Sequence, residues 1–186
     1  MVTATKKSAP KTASKSPARK APAKSSTRAT AAAGPDAIAL LKADHKRVSA
    51  LYAQYETTRS ASKKKAIVAS ICLELSVHAQ VEEEIFYPAV KAALKDKELV
   101  PEATVEHASL KELIAQVKDK EPDGEMFDAK IQVMSEYTKH HVKEEQNEMF
   151  PKVKKTRLDL KELGQQMLQR KQELMANIDR IGKSGR

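Results

Sequence analysis

The sequence predicts an all-α fold, an up-down four-helix bundle with an additional C-terminal helix, preceded by a disordered basic tail. Apolar residues recur every three or four positions in five segments, which is the spacing of one helix face. Aromatic residues make up only 4% of the chain and glycine occurs 5 times, whereas β-sandwiches and barrels favour aromatic strands and glycine-rich turns. The single cysteine excludes a disulfide framework or a thiolate zinc site.

The charge of the chain changes at about residue 35. Residues 1–35 contain eight lysines and arginines and no acid, whereas the whole chain has a net charge of +9. Residues 36–186 therefore carry only +1. The tail has no aromatic residue, so it cannot bury enough apolar surface to offset the entropy of ordering. We expect residues 1–35 to be disordered and residues 36–186 to form the helical bundle.

Three roles are open for the basic tail. Its Lys/Ala/Pro composition resembles the tails of linker histones and of some bacterial nucleoid proteins, and its cations can bind nucleic acid non-specifically. The alternatives are a solvated extension without a partner and an organellar transit peptide. No apolar stretch is long enough to span a membrane or to act as a secretory signal. We therefore expect a cytoplasmic protein, associated with the nucleoid if the tail contacts DNA.

The first two helices are predicted from the residues that follow Pro35. Asp36 is placed as the N-cap of the first helix, whose inner face is Ile38, Leu41, His45, Val48 and Tyr52. The second helix is predicted to run from about residue 60 to about residue 94, with a kink at Pro88. Its inner face is Ile67, Ile71, Leu75, His78, Glu82 and Ile85.

The remaining three helices follow from turn and capping signals. The third is predicted to begin between Asp96 and Glu102 and to end before the turn at 121–124. The fourth reaches about residue 154, and its inner face is Phe127, Met134, Tyr137, His141, Glu145 and Met149. The fifth runs to about residue 181 and starts with a capping box formed by Asp159 and Glu162.

Four of the five histidines belong to an internal repeat. The segment HAQVEEEIFYPAVK, which begins at His78, matches HVKEEQNEMFPKVK, which begins at His141, at a constant offset of 63. The helices that precede these segments also match, since Asp44-His45 aligns with Glu106-His107 at an offset of 62. The sequence therefore predicts a duplicated two-helix unit with the pattern His…His-x-x-x-Glu.

The repeat also resolves an ambiguity between two neighbouring histidines. His140 and Glu144 have the same four-residue spacing as His141 and Glu145. Only His141 and Glu145 keep phase with Pro151, the counterpart of the proline in the first unit. His141 is therefore predicted to face the core, and His140, about 100° away on the helix, to lie at the surface or between helices.

The repeated side chains are candidates for metal ligands. A histidine and a glutamate four residues apart lie on one helix face, and the six candidates are His45, His78, Glu82, His107, His141 and Glu145. A lone buried carboxylate is costly, whereas a metal pair satisfies all six groups together. Carboxylates with imidazoles and no thiolate suit iron or manganese better than structural zinc. The simpler alternative is a set of hydrogen-bonded core histidines, and Tyr52 and Tyr137 are placed either in the core or against the ligands.

This pattern resembles the hemerythrin-like HHE cation-binding family over roughly residues 36–180. The residues that carry the resemblance are Asp44-His45, His78-x-x-x-Glu82 with Phe86-Tyr87-Pro88, Glu106-His107, and His141-x-x-x-Glu145 with Met149-Phe150-Pro151. The resemblance implies a four-helix bundle around a non-haem di-iron centre, with two irons per chain joined by an oxo or hydroxo bridge. The implied ligands are His45 and His78 for one iron, His107 and His141 for the other, and Glu82 and Glu145 as bridges.

The third helix departs from the pattern of oxygen-carrying hemerythrins, because Ala103 stands one turn before His107 where they have a second histidine. We therefore expect an open ligand position beside Ala103, unless Glu148 or water fills it. The resemblance implies a protein that senses or reacts with oxygen, nitric oxide, peroxide or iron. The alternatives are a di-iron enzyme that turns over peroxide or nitric oxide, and a DNA-associated structural protein that acts through its tail.

Overall fold

The structure is a computed structural model that describes residues 34–95, 97–122 and 124–184. These ranges are helical and contain no strand, as the sequence predicts. None of their helices is both long enough and apolar enough to cross a membrane. The predicted disorder of the tail lies outside the described residues, and the domain boundary at residue 35 stays a prediction.

Five helices are present in the described ranges, and two of them contain a π-helical segment. These five helices consist of seven α-helical segments, which are α1 (Ala37–Thr57), α2 (Ala61–Val81), α3 (Tyr87–Leu94), α4 (Leu99–Val117), α5 (Glu125–Glu144), α6 (Phe150–Val153) and α7 (Leu160–Ser184), and of two π-helical segments. The π-helical segments Glu82–Phe86 and Glu145–Met149 join α2 to α3 and α5 to α6. Since α1 packs on α2 and α5, and α4 packs on the same two helices, they form a four-helix bundle. The additional helix α7 packs on α1 and α2.

The two predicted N-caps are present. The Asp36 carboxylate accepts a hydrogen bond of 2.8 Å from the backbone N–H of Ala39. The Asp159 carboxylate accepts hydrogen bonds from the backbone N–H groups of Lys161 and Glu162, at 3.1 and 3.0 Å. The side chain of Glu162 accepts instead from Gln166, one turn later. Asp159 therefore caps α7 as predicted, while Glu162 stabilises the next turn.

Each π-helical segment begins at a glutamate of the repeat. The backbone N–H of Tyr87 donates to the carbonyl of Glu82, five residues back, and Phe150 donates to Glu145 in the same way. Pro88 follows the first segment and has no N–H to complete a regular α-helical turn. The wider turn accommodates this missing donor. The kink predicted at Pro88 thus takes the form of a π-helical turn, and the second unit repeats it.

The π-helical turn also corrects one predicted core position. Ile85 is only half-buried, although α-helical spacing places it on the inner face. Phe86 is 0% exposed and takes that place. The reason is geometric, because the wider turn adds a residue and rotates the helix that follows it. Tyr137 is also placed on an inner face by its spacing, but in α5 it is not a core residue, since 48% of its surface is exposed.

Two apolar clusters fill the bundle. One contains Leu41, Phe86, Tyr87, Met149 and Phe150, and α7 adds Met167 and Leu174. The other contains Val48, Tyr52, Cys72, Ile114 and Met134. On each of the four bundle helices, the histidine of the repeat stands at the boundary between residues of one cluster and residues of the other. The four histidines therefore form a polar layer that lies between the two apolar clusters.

Gly164 allows α7 to approach the backbone that leads into α1. A Cβ atom there would lie 2.5 Å from the carbonyl oxygen of Pro35 and 2.7 Å from the backbone nitrogen of Ala37. We expect Gly164→Ala to lower the free energy of unfolding by about 1–3 kcal/mol through this overpacking, although alanine is the better helix former. Gly34→Ala is the control, since its Cβ would make only an ordinary contact with Leu168 at 3.6 Å. Equal urea midpoints for both variants would contradict the close approach.

Candidate metal centre

The structure brings all six predicted candidates into one buried layer. The histidines come from α1, α2, α4 and α5, and the glutamates are the first residues of the two π-helical segments. None of the six is more than 6% exposed, and they are His45, His78, Glu82, His107, His141 and Glu145. The repeat therefore correctly predicts which side chains converge.

The histidines form two close pairs. The Nε2 atoms of His45 and His78 are 3.2 Å apart, and those of His107 and His141 are also 3.2 Å apart. Each pair joins the two histidines of one repeat unit. All four rings therefore direct Nε2, rather than Nδ1, toward the centre of the layer.

Each of the two carboxylates contacts one histidine of each pair. The distances from carboxylate oxygen to Nε2 are 3.1 Å for Glu82–His78, 3.4 Å for Glu82–His107, 3.2 Å for Glu145–His45 and 3.6 Å for Glu145–His141. Potential ligand atoms within 4.8 Å of one another fall into two buried groups, and Glu82 belongs to both of them. Either group could hold a metal ion, and the carboxylate of Glu82 is common to both groups.

The Nδ1 atom of each histidine faces a side chain outside the layer, which we call its outer partner. Two of these outer partners occupy equivalent positions of the repeat. Glu106 contacts Nδ1 of His141 at 2.7 Å, and its counterpart Asp44 lies 3.7 Å from Nδ1 of His78. Lys171 on α7 donates to the Asp44 carboxylate, so the additional helix is tied to this layer. The acceptor at Nδ1 of His141 fixes the tautomer that leaves its Nε2 free to bind a metal.

The other two outer partners break the symmetry of the repeat. Glu83 contacts Nδ1 of His107 at 3.1 Å and is itself held by Lys111 at 2.6 and 2.7 Å. The equivalent residue of the second unit is Gln146, whose amide lies 3.2 Å from Nδ1 of His45. His45 thus has a neutral partner, whereas each of the other three histidines faces a carboxylate.

Tyr87 is a residue of the site to which sequence reasoning assigned no role. Its hydroxyl lies 3.3 Å from Nε2 of His107 and 3.5 Å from Nε2 of His141. It also lies 3.2 Å from Glu145 and 3.4 Å from Glu82. Tyr87 stands five residues after Glu82, and the π-helical turn is what brings residues of that spacing together.

The tyrosines that the sequence did single out lie away from the six candidates. Tyr52 is buried, and its hydroxyl pairs with Thr138 at 3.3 Å, while Tyr137 is exposed. The counterpart of Tyr87 in the second unit is Phe150, which stacks on His45 with ring centroids 6.0 Å apart and an interplanar angle of 5°. The two halves of the site therefore also differ by the hydroxyl group of Tyr87.

The pKa values of the two histidines in each pair are shifted in opposite directions. Burial lowers the pKa of His45 and of His107. Burial acts the same way on His78, but the charge of Glu82 outweighs it and raises the pKa to about 10. In His141, contacts with neighbouring carboxylates also outweigh burial and raise the pKa. The environment thus favours the protonated form more in His78 and His141 than in their partners, and metal binding would compete with that proton.

The donor set fits a cation. The Oε1 atom of Glu82 is buried and has no hydrogen-bond partner among the described residues. Burial raises the pKa of Glu145, and the nearby charge of Glu82 raises it further. Two buried carboxylates in one layer need compensating positive charge, and in the metal-free protein the raised pKa of His78 supplies part of it. A pair of divalent ions would supply that charge and occupy the orphaned oxygen.

A small enclosed cavity touches the layer on one side. Its volume is about 20 Å³, and all four histidines line it together with Leu110, Lys111 and Ile114. This space is sufficient for a water molecule. Ala103 does not line this cavity and packs in the cluster that contains Tyr87, so an open ligand position beside Ala103 stays a prediction. Glu148, the alternative ligand, is exposed.

Comparisons with known proteins agree with this geometry. A protein named DNA nickase from Nostoc sp. is 24% identical over 115 residues, which is 62% of this chain but only 32% of the relative. The chain thus spans about a third of that protein's length. A hemerythrin HHE cation-binding domain-containing protein from Mycobacterium kansasii, solved by crystallography, has the same fold, with a TM-score of 0.69 and 23% identity. The similarity covers 82% of this chain and 96% of that one. The sequence profile of the hemerythrin HHE cation-binding domain matches residues 36–153, more than half of the chain, and the chain therefore belongs to that family.

Proposed function

We propose that the buried layer holds two iron ions and that the protein senses or reacts with a small ligand such as oxygen, nitric oxide or peroxide. The observation that carries this proposal is that each carboxylate contacts one histidine of each pair. One ion is held by His45 and His78 and the other by His107 and His141, with Glu82 and Glu145 shared between them. The absence of thiolate from this donor set favours iron over structural zinc.

Iron would supply redox chemistry and a Lewis acid at this site. The residues of the chain would control what reaches it. The cavity of about 20 Å³ admits only a small molecule, and the apolar clusters on both sides exclude bulk water. Burial and the charges of Glu82 and Glu145 raise the pKa of Tyr87 well above its usual value, so its hydroxyl keeps its proton as a hydrogen-bond donor.

Metal analysis of anaerobically purified protein tests the proposal. We expect about two irons per chain, since the donor atoms form two groups, and a visible spectrum that changes once when oxygen, nitric oxide or peroxide is added. Continuous consumption of peroxide would instead identify the protein as an enzyme. A single, tightly held and colourless zinc ion would overturn the di-iron proposal.

A second candidate function is non-specific nucleic-acid binding by residues 1–35. These residues carry eight cations and no acid, and the relative named DNA nickase gives a further reason to test DNA. Deleting residues 1–35 is expected to abolish DNA retardation at low salt while leaving metal content and thermal stability unchanged. If all eight cations contact phosphates, the slope of log K against log salt approaches about −7. DNA binding that survives the deletion would place the nucleic-acid site in the bundle.

A further inference from the structure

We propose that Glu106, His140 and Glu144 form a third metal site, at the surface of α4 and α5, which takes a divalent transition-metal ion such as Zn²⁺. The three side chains offer ligand atoms that lie within 4.8 Å of one another. His140 is the one histidine of the five that the buried layer does not use. The site is therefore separate from the four histidines of the candidate centre.

The distances between the three side chains match those of ligands that share one ion. Nε2 of His140 lies 3.1 Å from Oε1 of Glu144 and 3.5 Å from Oε1 of Glu106. Zinc binds imidazole nitrogen and carboxylate oxygen at about 2.0–2.2 Å, so two of its ligands are about 3.0–3.5 Å apart. Both distances from His140 fall in this range, and the ligand atoms of Glu106 and Glu144 lie within 4.8 Å of one another.

Exposure and chemistry indicate which ions bind. The side chain of His140 is 62% exposed, while those of Glu106 and Glu144 are 19% and 29% exposed. Water completes the coordination of such a half-open site, so the ion exchanges with solvent. One imidazole and two carboxylates suit divalent transition metals in general, with zinc as the probe ion, whereas calcium and magnesium prefer oxygen ligands alone. A surface groove of about 320 Å³, lined by Val105 and Tyr137, gives access beside the histidine.

The first repeat unit has no counterpart of this site. The positions equivalent to His140 and Glu144, 63 residues earlier, are Val77 and Val81, and both are buried. The surface cluster thus belongs to the second unit alone. His140 and Glu144 have the same four-residue spacing as His141 and Glu145, but each lies one residue earlier in the chain and on the solvent side of the helix.

Glu106 links the surface site to the buried layer. Its Oε1 faces His140, while its Oε2 contacts Nδ1 of His141 at 2.7 Å. An ion at the surface would therefore share a carboxylate with the hydrogen-bond network of a proposed iron ligand. The carboxylate of Glu106 therefore lies between the surface site and the buried layer.

Equilibrium dialysis against micromolar Zn²⁺, followed by elemental analysis, tests the proposal. We expect the wild type to bind one zinc ion per chain more than His140→Ala does, whether or not iron occupies the buried layer. Glu144→Gln should weaken binding of this zinc by about tenfold or more, since even outer partners of a metal contribute that much. Glu136→Gln is the matched control, because Glu136 lies on the same helix and pairs with Gln132 at the surface. It should bind as the wild type does.

The zinc content of the wild type minus that of His140→Ala does not depend on whether the proposed iron centre is occupied. Equal zinc content in the wild type and in His140→Ala would overturn the surface site, even if both contain two irons. A lower zinc content in His140→Ala with an unchanged iron content would support it. Equal weakening of zinc binding by Glu136→Gln and Glu144→Gln would also overturn it, because the effect would then be one of general charge.

Discussion

Glu82→Gln is expected to weaken metal binding at both proposed positions, a larger effect than the loss of any single histidine. Glu82 contacts His78 of one pair and His107 of the other, so loss of its charge affects both positions. We expect the metal content to fall from about two ions per chain to less than about one. His45→Ala, which removes a ligand from one position, should retain about one ion. Elemental analysis after identical reconstitution measures the difference.

The metal-free protein distinguishes lost ligation from faulty folding. Glu82 and Glu145 are two buried carboxylates, 0% and 1% exposed, and removing one negative charge relieves their repulsion. The same substitution also removes the charge that pairs with His78, so the two effects oppose each other. We expect metal-free Glu82→Gln to remain folded, and its free energy of unfolding is measured beside that of the metal-free wild type. Glu84→Gln is the control, since Glu84 pairs with Arg170 outside the layer. Full metal content in Glu82→Gln would contradict the bridging role.

The two adjacent histidines are expected to respond differently to the same substitution. His141→Ala should lose at least one iron, because Nε2 of His141 lies 3.2 Å from its partner His107 in the buried layer. His140→Ala should keep both irons, because its side chain is 62% exposed and reaches only Glu106 and Glu144. Iron content measured after removal of surface metal with a mild chelator gives the comparison.

A spectroscopic control strengthens this comparison. His141→Gln retains a polar side chain of similar size and should lose the visible absorption of the centre as His141→Ala does. Equal iron content in the variants of both histidines would show that the phase of the repeat is misread. Folding of each variant is checked by its helical circular dichroism, since the protein is almost entirely helical in its described residues.

Much of the fold and of the candidate site follows from the sequence because two periodic signals agree. The helical period gives the five helices, and the offset of 63 between equivalent residues selects His141 over His140. Asp36 and Asp159 cap their helices as predicted because capping depends on local geometry. These features depend on short-range patterns, which a sequence displays directly.

The π-helical turns could not be predicted from periodicity. A turn wider by one residue moves Ile85 off the inner face and Phe86 onto it, and both residues are apolar, so the pattern is equally consistent with either. Tyr87 reaches Glu82 only through this turn. Pro88 was the available signal, but a proline in a helix can also produce a simple kink.

The outer partners were within reach of sequence reasoning but were not identified. Asp44 and Glu106 precede the first-helix histidine of each unit, and Glu83 and Gln146 occupy one position of the repeat. Applying the repeat to acceptors as well as to ligands identifies all four. What the sequence does not reveal is the pairing, since Glu83 serves a histidine of the opposite unit.

Glu82 and Glu145 each contact a histidine of the opposite repeat unit, and this has a consequence for how the protein folds. Neither hairpin, Ala37–Leu94 or Leu99–Val153, supplies all the ligands of a proposed metal position alone, because Glu82 and Glu145 each contact a histidine of the other hairpin. Two copies of one such hairpin, related by twofold rotation, would complete both positions. The chain therefore has the geometry of a fused homodimer, in which the link between α3 and α4 acts as a tether that sets a high effective concentration. Severing that link would convert an intramolecular fold into a bimolecular one, whose stability depends on the concentrations of both hairpins and of the metal.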